Sequence, residues 1–131
     1  FHPENAVPQN ANLNRGAWSS LESYVRDLVK VNDGVEVFTG PLFLPNNSQP
    51  IVTHLMGRGD VHIPTHLFKI IFKHNRNTTT EVYILPNQTL FHGTTFREFK
   101  QIQSKIAIDY IQKNSGILFN QWMFKFSNIE M

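Results

Sequence analysis

Asn14, Trp18, Glu22 and Arg26 follow one another at intervals of four residues, in a segment that reads as a helix. An α-helix turns by about 100° per residue, so positions four apart drift by only about 40° at each step and run along one edge. That edge would offer an amide oxygen, an indole, a carboxylate and a guanidinium in order. An amide and a carboxylate suit a hard cation such as magnesium, which takes oxygen ligands and keeps several waters. An arginine beside them suits a phosphate, through its charge and its bidentate donors. By residue type alone, each side chain also has an ordinary structural role. An Asn ahead of a helix is usually its N-cap, Glu22 and Arg26 form an i,i+4 surface pair, and Trp18 on an otherwise apolar helix is a core residue. On these grounds alone the structural reading is the stronger.

Other side chains with chemical potential are the six histidines. His62 and His66 are four apart, a spacing that can hold a metal on a helix. Pro64 lies between them in a β-like run, which removes the helix. His2 lies just ahead of Asn5, and His54, His74 and His92 read as solvent-facing or hydrogen-bonded. The chain has no cysteine, which excludes disulfides, thiolate metal sites and a cysteine nucleophile. Arg58-Gly59-Asp60 reads as a turn rather than an adhesion motif. Asn46-Asn47-Ser48, Asn77-Thr78-Thr79 and Asn87-Gln88-Thr89 are glycosylation sequons that matter only in a secreted protein.

The elements that must position these residues follow from composition and periodicity. With 131 residues, 40% hydrophobic, and eleven Phe, the chain can bury one core and reads as one domain or a large piece of one. Its formal charge of +2 permits an acidic partner without demanding one. No apolar run approaches the roughly 18 residues of a membrane span. Residues 1–14 are Pro- and Asn-rich and read as a loop. Over Arg15–Val31, Ala17, Leu21, Tyr24, Val25 and Leu28 recur at helical spacing, which predicts a helix with Asn14 as its cap and Asn32-Asp33-Gly34 as its stop. Val35–Thr39 predicts a strand closed by Gly40-Pro41. Ile51–Met56 reads as a strand, and residues 57–60 as a turn before Val61–Pro64. Leu67–Lys73 and Glu81–Leu85 form a strand pair joined by a polar hairpin at Asn75–Thr78. Phe96–Phe99 is a weaker strand, and Ser104–Lys113 is a second helix with Gly116 past its end. The order gives an α+β fold, a central antiparallel sheet flanked by helices.

A longer series of motifs then emerges: Asn5-Ala6-Val7-Pro8-Gln9, Leu13-Asn14-Arg15-Gly16-Ala17-Trp18, Leu21-Glu22, Arg26, Thr39-Gly40-Pro41-Leu42, Ile63-Pro64-Thr65-His66 with Lys69, Pro86-Asn87, and Ser115-Gly116-Ile117-Leu118-Phe119. In this order and at these separations, the series resembles the DNA/RNA non-specific endonuclease family of ββα-metal nucleases, in its mitochondrial endonuclease G-like branch. Glu4, where the family usually has Ser, is a departure.

The resemblance implies the ββα-metal nuclease fold, with residues 1–131 as the C-terminal part of a single nuclease domain. It implies magnesium-dependent cleavage of DNA and RNA, with manganese as a substitute ion. Asn14 would hold the metal directly, Glu22 would orient or bind a metal-bound water, and Arg26 would contact phosphate. Asn5 and Gln9 would line and support the site. Lys69, Lys73 and Arg76 with Phe68 and Phe72 could add basic and aromatic surface, although the Phe residues read more naturally as core. The family's general base is a His in an Asp-Arg-Gly-His motif upstream of the metal-binding Asn, and no histidine present here replaces it. The chain opens at Phe1-His2-Pro3 without Met, so the base is expected on an N-terminal segment or on another chain. The alternative is a degenerate, non-catalytic relative serving as a structural or binding subunit. The endonuclease G resemblance implies a mitochondrial location, with secretion as the alternative, and leaves a homodimer open.

Overall fold

A computed structural model describes residues 9–45 and 63–115. The elements are α1 (Ala11–Arg15), α2 (Ala17–Val31), β1 (Gly34–Leu42), β2 (His66–His74), β3 (Thr78–Pro86), a 3-10 turn (Phe96–Phe99) and α3 (Ser104–Ser115). The expected strand at 51–56, the turn at 57–60 and residues 61–62 lie outside the described residues, as do Asn5, His2, His54 and His62.

The three strands form one antiparallel sheet in the order β1-β2-β3. β2 and β3 make the expected hairpin, in register from His74 opposite Thr78 to His66 opposite Pro86. Successive side chains of a strand point to opposite faces, so Leu67, Lys69, Ile71 and Lys73 share a face with Glu81, Tyr83 and Leu85. Phe68, Ile70 and Phe72 share the other with Val82 and Phe38. Helix α2 packs its Trp18, Leu21 and Leu28 on the first face, against Leu67, Ile71, Tyr83 and Leu85. Helix α3 packs Ala107, Ile108 and Ile111 on the second, against Phe68, Ile70, Phe72 and Val82. With both faces covered, Leu67 to Phe72 is buried without interruption, as expected of a strand between two layers. The α+β fold and the core roles of Phe68 and Phe72 are therefore as expected.

Four expectations need correction. Residues 11–14 are helical rather than loop, within α1, and Asn10, not Asn14, is the cap. The long helix begins at Ala17 because Gly16 separates it from α1. Strand β1 continues through Gly40-Pro41 to Leu42. Among the described residues it is an edge strand, where a residue without an N–H can be accommodated. Phe96–Phe99 is a 3-10 turn with a Thr95/Glu98 capping box. The Glu98 carboxylate accepts the Thr95 N–H at 2.7 Å, so local capping prevails over the β preference of the two Phe.

On the α2 face the core contains a charge. Glu81 is 4% exposed, and its carboxylate accepts from the hydroxyls of Tyr24 (2.9 Å to each oxygen) and Tyr83 and pairs with Lys73. Burial acts to raise the Glu81 pKa, but the bonds from Lys73, Tyr83 and Tyr24 outweigh it and hold the carboxyl below its usual value. Burial, then Glu81, push Tyr24 up to about 12 and Tyr83 higher still. The folded state therefore favours ionised Glu81. That contribution is full above the unfolded-state pKa and is lost as pH falls through the lower folded one. Glu81→Gln should lower stability by about 3 kcal/mol near neutrality, as for a buried pair that loses one partner. Urea midpoints across pH should show the gap from wild type narrowing below the ordinary glutamate value of 4.5. A gap that stays constant in acid would contradict the account.

Candidate functional site

The site is assembled from the sheet outward. Asn87, just past β3, accepts the Asn10 backbone N–H through Oδ1 at 2.7 Å and donates through Nδ2 to the Pro64 carbonyl at 3.0 Å. Asn10 in turn accepts the N–H groups of Asn12 (2.9 Å) and Leu13 (3.1 Å) on its side-chain oxygen. This satisfies two of the donors that a helix start leaves without partners. Leu13, 1% exposed, anchors α1 in the core. The Gly16 N–H closes α1 on the carbonyls of Asn12 (3.0 Å) and Leu13 (3.2 Å). A Cβ at Gly16 would lie 3.1 Å from the Asn12 carbonyl oxygen, which favours glycine at this junction.

Asn14 thus belongs to α1, while Trp18, Glu22 and Arg26 belong to α2. The single-edge geometry expected from the sequence is broken at Gly16. It holds for Glu22 and Arg26, both exposed, whereas Trp18 turns inward and is 2% exposed. The Asn14 side chain is exposed and makes no hydrogen bond to another described residue. Gln9 is exposed just ahead of α1. Arg26 does not pair with Glu22; its guanidinium donates to Ser23 Oγ at 2.8 Å.

The sequence allows Lys69 to add to a basic surface, whereas the structure buries it at 7% exposure. Its Nζ lies 4.8 Å from the Trp18 ring centroid and donates to Thr39 Oγ1 at 3.1 Å. Burial lowers the ammonium's pKa, and the Glu22 carboxylate pulls in the opposite direction. Thr39 and Lys69 were both in the motif series, but their contact was hidden. The signal that could have found it is strand alternation, which puts Lys69 on the same face as the apolar Leu67 and Ile71.

Strand alternation also disposes of two histidines as bases for this edge. His66 and His74 occupy the even-numbered positions of β2, on the face away from α2. His66 Nδ1 lies 2.9 Å from Thr65 Oγ1, and burial lowers its pKa. His74 bridges Glu36 Oε1 (2.6 Å) and Thr78 Oγ1 (3.1 Å), and His92 is exposed in a turn. Among the described residues no three His, Asp or Glu side chains cluster as metal ligands. The exposed amide of Asn14 and carboxylate of Glu22 nevertheless fit a hard cation that retains most of its water and needs few protein oxygens. The sequon at Asn87 is structurally engaged, because its amide bonds the cap of α1 at Asn10 and the Pro64 carbonyl.

The model of the DNA/RNA non-specific endonuclease family matches residues 1–123 of this chain, which belongs to that family. The chain is 32% identical over 125 residues to the mitochondrial endonuclease G of Homo sapiens, covering 91% of the chain and 40% of the relative. It is 34% identical over 125 residues to nuclease C1 of Cunninghamella echinulata var. echinulata, covering 91% and 48%. Among solved structures, one described as the crystal structure of the EndoG/EndoGI complex superposes with a TM-score of 0.74 at 31% identity, covering 88% of this chain and 48% of that one. The chain therefore has the ββα-metal nuclease fold in its endonuclease G-like form and spans less than half the length of these relatives.

If Asn87 sets α1, Asn87→Ala should speed amide exchange across residues 11–15 and lower stability by about 1–3 kcal/mol, the cost of a partly buried donor, the Asn10 N–H, and an acceptor, the Pro64 carbonyl, left without their partner. Exchange in β2 should be unchanged. Hydrogen exchange that leaves α1 as protected as in the wild type would refute this arrangement.

Proposed function

We propose that this chain is part of a magnesium-dependent, sequence-nonspecific endonuclease that hydrolyses DNA and RNA, in a mitochondrial setting. The observation that most supports this reading is the exposed Asn14 amide, Glu22 carboxylate and Arg26 guanidinium, on two helices seated by one hydrogen-bonded anchor and one core. The family membership over residues 1–123 and the names of the relatives supply the reaction class. Asn14 would hold magnesium, or manganese in its place, and Glu22 would orient its water. The ion's contribution would be to stabilise charge on the phosphate and on the leaving oxygen.

The chain's own residues would then divide the work. Arg26, on the same helix as Glu22, would bind a phosphate oxygen through its donor fork. Contacts of this kind recognise the backbone and carry no base sequence, which is consistent with a nonspecific enzyme. The preorganised carboxylate and guanidinium would supply electrostatic stabilisation without reorganising during the reaction. Water activation at neutral pH needs a base such as His. His66 and His74 face away from α2, and the family resemblance would put that base on a segment upstream of Phe1.

In the full-length protein, Asn14→Ala should reduce magnesium-dependent nicking of plasmid DNA by more than the roughly 10–100-fold typical of outer-shell changes at metal sites, with an unchanged thermal unfolding profile. Arg26→Ala should cost about 100-fold or more, as for loss of one oxyanion donor. A wild-type protein that binds nucleic acid without cutting it in magnesium or manganese would favour the non-catalytic subunit reading instead. Full activity in Asn14→Ala would remove Asn14 from the site.

A further inference from the structure

A cleft of about 170 Å³ opens between the α1–α2 junction and the loop that follows β3. Asn12, Gly16 and Ala17 line it on the helix side, and Thr89, Phe91 and Gly93 on the loop side. Phe91 is 93% exposed, which forfeits most of what burying a ring would contribute. The backbone fixes its position: the Thr94 N–H donates to the Phe91 carbonyl at 3.0 Å, and Gly93 takes a left-handed φ of 89°. A type II turn requires that backbone at its third residue. The loop is also tied to α1, because Asn12 Nδ2 donates to Thr89 Oγ1 at 3.1 Å. Asn12 Oδ1 in turn accepts from Arg15 Nη2 at 3.4 Å, which brings a guanidinium to the rim of the cleft. Among the described residues no carboxylate pairs with Arg15.

We propose that this cleft receives one unpaired base of a single-stranded nucleic acid, stacked on Phe91, with Arg15 on an adjoining phosphate. The inference rests on the nucleic-acid substrate of the proposed function and deepens it. Size argues for a single ring. Pockets that enclose a whole drug-sized ligand run to roughly 300–1,000 Å³, so sugar and phosphate stay outside this one. Every base has a π-face, and an aromatic platform beside a cation therefore grips single strands with little regard to sequence. Asn12 and Thr89 already bond each other, which leaves the ring rather than a hydrogen-bond pattern to hold the base. In a duplex both faces of a base are covered by its neighbours, so only an unpaired or splayed nucleotide can enter. Asn12 and Asn14 are two residues apart, about 200° around α1. The cleft and the candidate cation site thus straddle one short helix, and the stacked base belongs to a nucleotide near the scissile phosphate but not at it.

Equilibrium binding in EDTA tests this without requiring cleavage. The full-length protein is titrated against labelled oligothymidylate and oligouridylate, followed by fluorescence anisotropy. Phe91→Ala should weaken binding about 10-fold, the scale of one lost base–aromatic stack, and Phe91→Leu should weaken it as much. Phe91→Trp should bind as tightly as wild type, with its added fluorescence quenched by the base. Arg15→Gln should lower affinity and flatten the log–log salt dependence by about 0.7, the share of one single-strand phosphate. Oligothymidylate annealed to its complement should bind Phe91→Ala nearly as well as wild type, as should a strand of abasic sugars. Urea midpoints of the Phe91 variants should match the wild type, because the ring is exposed. Sensitivity with only one of the two polymers supports the cleft and assigns it to that nucleic acid. Normal binding by Phe91→Ala or Phe91→Leu would overturn the inference, as would an equal loss with the abasic strand. A change of oligomeric state at unchanged oligonucleotide affinity would do the same, marking Phe91 as a protein contact. If the wild type cleaves in magnesium while Phe91→Ala binds normally, this inference falls and the nuclease reading stands. If the wild type binds through Phe91 but does not cleave in magnesium or manganese, the nuclease reading falls and this inference stands.

Discussion

The apolar stripe of α2 presses onto the odd-numbered face of β2 and β3, and the placement of the candidate site follows from that contact. Trp18, Leu21 and Leu28 meet Leu67, Ile71, Tyr83 and Leu85, which fixes the rotation of the helix about its axis. With those positions inward, Glu22 and Arg26 are forced outward. A helix rotated by one residue would bury a carboxylate or a guanidinium and expose an aromatic core residue, at a cost of several kcal/mol. The opposite face of the sheet is filled by α3, so β2 cannot slip by one residue without reversing both layers.

The same face also carries polar groups inside the core, and they differ in kind. The Glu81 cluster is closed: two tyrosine hydroxyls and Lys73 surround one carboxylate, which reads as a structural lock between α2 and the sheet. Lys69 is open: it has one hydroxyl and one ring face. A closed network contributes to stability wherever it lies. The contrast separates the two buried ionic positions on the α2 face.

Much of this was legible in the sequence. Helix α2 and the β2–β3 hairpin follow from 3.6- and 2-residue periodicities over long, well-bounded runs, and α3 from its apolar spacing. The start of the site was harder to read. Asn10 and Asn14 are both suitable caps four residues apart, and the choice is made by Asn87, 77 residues away in sequence. Gly16 reads as a tolerated residue inside one helix, but it separates two, which moved Asn14 off the edge inferred for it. At Phe96–Phe99 the two aromatics suggested a strand, although Thr95 followed by Glu98 was a readable capping box. Lys69 could be assigned to a face by alternation, but its contact with Trp18 depends on the docking of α2, which no local pattern encodes.

The account stands or falls on whether a divalent ion settles at the junction of α1 and α2. Manganese can be titrated into isotopically labelled full-length protein while paramagnetic broadening of amide resonances is followed. The account predicts that the signals of Asn14 and its neighbours across Gly16 broaden first, together with Glu22, while those of α3 stay sharp. Uniform broadening, or broadening that begins on the α3 side of the sheet, would contradict it.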